Sequence, residues 1–69
     1  MFMYVKHPKD PCAPVAIDEK DQAQLLAGAD WRPFCARDGI DPATVTRVVV
    51  ELAIPALKED PEVTVLYEQ

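Results

Sequence analysis

The sequence predicts an α+β fold, a small single domain in the order strand-helix-helix-helix-strand, with the two terminal strands paired and packed on the helices. Three observations lead there. Both ends of the chain alternate in the manner of strands, at Phe2-Met3-Tyr4-Val5-Lys6-His7 and at Val63-Thr64-Val65-Leu66-Tyr67-Glu68. The middle carries helix openings at Asp18, Asp30 and Asp41. An isolated strand leaves its backbone groups unsatisfied, so the two end strands are expected to pair with each other.

At 69 residues the chain forms one domain, residues 1–69. A core of that size is marginal, and a dimer or a partner surface would help it. Each terminal strand keeps one free edge, which offers pairing to a second copy.

The first strand ends at His7. Residues 8–14, Pro8-Lys9-Asp10-Pro11-Cys12-Ala13-Pro14, hold three prolines, which remove donors and fix φ, and so read as a connector. A first helix is expected from Asp18 to Ala27. Asp18 caps it, Glu19 and Asp21 suit the positive end of its dipole, and Gly28 stops it. Ala23, Leu26 and Ala27 are placed toward the core, with Leu25 beside them. A short second helix follows Asp30, with Trp31, Phe34 and Cys35 inward and Arg32, Arg37 and Asp38 outward, and ends at Gly39.

The third helix is expected over residues 42–54. Asp41 can accept from the free amides of a first turn, and Pro42 suits the first helical position. Val45, Val48, Val49, Leu52, Ala53, Ala56 and Leu57 recur at helical spacing, while Val50 and Ile54 fall outside that stripe. Pro55 ends or kinks the helix near Ile54. A strand competes, because Thr46, Val48, Val50, Leu52 and Ile54 alternate and consecutive valines favour a pleated surface. The Asp-Pro-Ala-Thr opening decides for the helix. Asp60-Pro61-Glu62 then breaks the chain before the last strand.

The composition narrows the function. An apolar fraction of 49% is that of a folded protein. The net charge is −5, from 12 acids against 7 bases, so a phosphate backbone repels the chain unless its bases gather on one face. No apolar run approaches the ~20 residues that span a bilayer. Lys6, His7, Lys9 and Asp10 interrupt the apolar start, so no signal peptide is expected and the setting is cytoplasmic. Cys12, Cys35 and the single His7 match no zinc spacing, and two free thiols are expected in a reducing cytosol. With two glycines there is no phosphate-cradling loop. The carboxylates sit at helix starts, where capping accounts for them. No catalytic residues, cofactor or metal are expected.

Residues 31–49 resemble the helix-turn-helix of LacI-type bacterial repressors. The matching run is Asp41-Pro42-Ala43-Thr44-Val45-Thr46-Arg47-Val48 after Gly39-Ile40, with Trp31, Phe34 and Cys35 at the inward positions of the preceding helix. The resemblance implies that helix 42–54 reads a major groove, with Thr44, Thr46 and Arg47 facing DNA. Asp38, Asp41, Val50 and Ile54 depart from that pattern.

The reading adopted is a small acidic protein-interaction module that inhibits a nucleic-acid-binding protein by presenting an acidic surface in place of DNA. Asp18, Glu19, Asp21, Asp30 and Asp38 would form that surface, and its partner is a protein with a basic, nucleic-acid-binding groove. In size and acidity the chain is similar to small phage-encoded inhibitors, including anti-CRISPR proteins that mimic DNA. Carboxylates interleaved with Lys and Arg on the folded surface would count against it. The alternatives are a helix-turn-helix transcriptional regulator and a phage structural or adaptor protein.

Overall fold

A computed structural model describes residues 1–52 and 63–69. The predicted strand-helix-helix-helix-strand order does not form. Phe2–His7 (β1) and Asp10–Ala16 (β2) make a hairpin, and two helices follow, Glu19–Leu26 (α1) and Arg32–Arg37 (α2). A 3-10 turn at Pro42–Thr44 leads into Arg47–Glu51 (β3), and Val63–Glu68 (β4) ends the chain. All neighbouring strands run antiparallel, in the order β2-β1-β3-β4.

Three expectations are thereby corrected. Residues 8–14, assigned to a connector, instead supply the turn after β1 and most of β2, Asp10–Ala16. They can do so because β2 is an edge strand, where a proline need not donate to a ladder. The terminal strands do not pair with each other, because β3 lies between them, with Val49 opposite both Tyr4 and Val65. The helix expected over 42–54 is a single 3-10 turn followed by a strand. Its end near Ile54, the stop at Pro55 and the break at 60–62 lie outside the described residues.

The helix opening itself is real. Asp41 Oδ1 accepts from the Ala43 amide at 3.0 Å, and the Thr44 Oγ1 hydroxyl donates to the Asp41 carbonyl at 2.8 Å. Val45 then leaves with extended backbone. Beyond it the β-branched run wins: Val48 and Val50 are fully buried and Val49 is half-buried, the period of two that a strand requires.

The hydrophobic core lies between the sheet and the helices. Met3 and Val5 come from β1, Ala13 and Val15 from β2, and Val48 and Val50 from β3. Ile17, Leu25, Cys35 and Val45 cover them, with Trp31, Phe34, Ile40, Leu66 and Tyr67 packed around the margin.

Helix α1 begins in a capping box. Asp18 Oδ1 accepts from the Asp21 amide at 2.7 Å, and Asp21 Oδ2 accepts from the Asp18 amide at 3.4 Å. Its inward residue is Leu25; Ala23, Leu26 and Ala27, placed toward the core from their spacing, are exposed. Gln22 fixes the helix over the sheet by donating from Nε2 to the Glu51 carbonyl at 2.6 Å. Gly28, at φ 102°, turns the chain out of α1 in a conformation that disfavours other residues. Helix α2 is tied to β2 by Arg37, which donates to the Ala16 carbonyl at 2.6 Å.

Candidate interaction surface

The helices cover one face of the sheet, and among the described residues nothing covers the other. Strand alternation sends Phe2, Tyr4 and Lys6 of β1 to that open face, with Cys12, Pro14 and Ala16 of β2 and Arg47, Val49 and Glu51 of β3. Val63 and Val65 of β4 join them and are 47% and 48% exposed.

The register arranges these side chains in rows across the strands. Pro14 pairs with Tyr4, Tyr4 with Val49, and Val49 with Val65, which makes an apolar row through the middle of the face. Phe2 lies beside it, its ring 6.0 Å from that of Tyr4 and 40% exposed. On one side of the row Lys6 pairs with Arg47, and Arg47 with Glu68, whose carboxylate it meets at 3.1 Å. Glu51 flanks the other side, opposite Val63. Partial burial, and then the charge of Glu51 and of Cys12, push the Tyr4 phenol above its ordinary range. An apolar centre with a charged rim is the anatomy of a protein-protein contact.

A second feature follows the outer side of β4. A groove of about 1120 Å³ runs between Leu66 and Tyr67 on one wall and Leu25, Leu26, Trp31 and Pro42 on the other. A one-residue irregularity of β4 opposite Val48 and Val49 brings Tyr67 round to the helix side, where it meets Trp31.

The acidic residues expected to form one surface are interleaved with bases. Asp30 accepts from the Arg32 backbone amide at 3.0 Å and from its Nε at 2.9 Å, and this guanidinium holds the Asp30 carboxyl below the usual carboxylate range. Arg37 sits between Asp21, at 3.9 Å, and Asp38, at 3.7 Å, with its guanidinium 5.3 Å from the centre of the Phe34 ring. Asp18 and Glu19 lie exposed at the start of α1, where Asp18 serves as the cap.

The three residues expected to face DNA are not brought onto one helix. Thr44 closes the 3-10 turn, and the Thr46 amide donates to the Lys6 carbonyl at 2.9 Å. Arg47 lies on the open face, bound to Glu68. Both cysteines are free, Cys12 exposed and Cys35 fully buried. No cluster of His, Cys, Asp or Glu among the described residues can hold a metal ion. Nor is any helix among them long and apolar enough to cross a membrane.

Phe2, Tyr4, Val49 and Val65 carry the open face, and none was singled out from the sequence. Their alternation was legible, but alternation is the same whichever face a sheet buries. No family model, curated protein or solved structure matches the chain.

Proposed function

We propose that this chain is a small protein-interaction module that binds its partner through the open face of the sheet. The observation that carries this reading is the row Pro14–Tyr4–Val49–Val65, with Phe2 beside it and the Lys6, Arg47, Glu51 and Glu68 charges at its margin. Aromatic residues in such a setting supply contact area at low entropic cost. The free thiols, one of them exposed, suit a reducing cytosol, where we place the protein.

A second reading makes the module an inhibitor that offers carboxylates to a basic, nucleic-acid-binding surface. The net charge of −5 favours it, as do Asp18 and Glu19 at the exposed start of α1. Asp21, Asp30 and Asp38 favour it less, since Arg37 and Arg32 already answer them.

Site-specific photo-crosslinking separates the two readings. A photoreactive residue replaces either Tyr4 or Glu19, and the protein is irradiated in cells that make it. The open-face reading expects a discrete partner adduct from position 4 and none from position 19. An adduct from position 19 alone would transfer the binding surface to the carboxylates.

A further inference from the structure

We infer that the outer edge of β4 is a self-association surface, at which two copies of this chain pair antiparallel and join their sheets. The two edges of the sheet are unlike. Natural edge strands are guarded by proline, lysine, charge or a bulge. Among the described residues no strand lies outside β4; the β2 edge carries Pro11 and Pro14, whereas Val63-Thr64-Val65-Leu66-Tyr67 on β4 carries neither proline nor charge, and its one irregularity leaves Val63–Val65 in regular register.

Exposed apolar side chains flank that same edge on both sides of the sheet. Val63 and Val65 stand on the open face, and Leu26, 46% exposed, stands on the helix side beside the groove. An occupant resting on the open face alone would leave Leu26 in water. An occupant that extends the sheet edgewise covers all three.

Charge selects a second copy over a basic strand from another protein. Each copy carries −5, so association along most of the surface is opposed. Along β4 it is not. Residues 63–67 are uncharged, and the Glu68 carboxylate is already held by Arg47 at 3.1 Å. A basic peptide would find little to pair with in the groove, where Asp30 is engaged by Arg32 and Asp41 by the Ala43 amide. A two-fold axis perpendicular to the sheet makes an antiparallel β4 pair self-complementary. A stable interface needs about 800 Å² from each partner, about a sixth of this chain's 4671 Å² surface. Backbone pairing has to be joined by burial of the valines and Leu26 to reach it. The paired sheets would place both open faces on the same side, and the pairing requires nothing of the partner proposed for that face.

Sedimentation equilibrium of the whole chain tests this, at total concentrations from on the order of 1 µM to on the order of 100 µM. The wild type and the open-face control Phe2→Lys are expected to reach the mass of two chains. Val65→Lys sets a lysine from each copy beside the seam and is expected to weaken association at least ~100-fold. A wild-type chain that stays monomeric throughout, or a Val65→Lys chain that dimerises as tightly as wild type, would overturn the proposal. Amide exchange of residues 63–68 in the wild type gives a reading that does not depend on the variant folding. Exchange that slows as concentration rises supports the pairing, and rates independent of concentration refute it.

Discussion

The Trp31 indole lies against the Tyr67 ring, with centroids 5.1 Å apart and planes inclined by 34°. This contact joins the start of α2 to the last strand, two segments far apart in sequence. Both side chains also line the groove beside β4. Aromatic pairs in this geometry contribute more than their buried area alone.

Replacing Trp31 by alanine should therefore destabilise the fold by about 2–3 kcal/mol, less than a fully buried tryptophan would cost because Trp31 is half-buried. Tyr67→Phe should stay within ~0.5 kcal/mol, since the hydroxyl reaches only the exposed Gln69 side chain, at 3.3 Å. Urea unfolding of the two variants measures the difference.

The valine run offers a sharper contrast. Val50 is fully buried in β3, and its neighbour Val49 lies half-buried on the open face. Val50→Ala should cost about 2–3 kcal/mol, from lost burial and the cavity left behind. Val49→Ala should cost less than ~1 kcal/mol. A helix over the same residues would reverse the order, because there Val49 belongs to the apolar stripe and Val50 does not. Equilibrium denaturation of both variants decides it.

At the start of α1, Asp18→Ala removes an acceptor from the Asp21 amide and should cost about 1 kcal/mol. Asp18→Asn keeps an oxygen acceptor and should lose little of that. Glu19→Gln, one residue on, takes part in no cap and gives up only its charge at the positive end of the helix, so it should cost less than Asp18→Ala, about 0.3–0.5 kcal/mol. Thermal melts of the three variants give the ranking.

The two thiols should react at very different rates. Cys12 is exposed on β2, whereas Cys35 is fully buried, and burial, with Asp38 and Asp30 as lesser causes, pushes its thiol above the ordinary range. Folding thus favours protonated Cys35. Its contribution to stability is complete below the unfolded thiol's pKa of about 8.5 and is lost as pH rises through the higher folded value. A disulfide reagent at mildly alkaline pH should label one thiol per chain rapidly. The second should follow at the rate of unfolding, which urea accelerates.

Local signals in the sequence were legible wherever a short-range interaction decided the outcome. Asp18 caps α1, Gly28 ends it, and Val63–Glu68 is a strand, each readable from a few neighbouring residues. The failures have a common cause. Asp41-Pro42-Ala43-Thr44 does open a helical turn, but one turn gains little against a following run whose alternate valines can be buried between β1 and β4. Pro11 and Pro14 hid β2 because their tolerance depends on its place at the sheet edge, a property of the assembled sheet. The candidate surface was hidden for a related reason. Tyr4 and Val49 lie side by side only once β3 has inserted next to β1.

The open face and the β4 edge both depend on β3 lying between β1 and β4, and nuclear Overhauser contacts in the folded protein test that most directly. The structure predicts contacts from the Val49 backbone to both Tyr4 and Val65, with strong sequential Hα-to-amide contacts through Arg47–Glu51. Contacts from each Hα to the amide three residues on, from Val45 to Leu52, with none between Val49 and Tyr4, would contradict it. They would restore the helix and remove the open face.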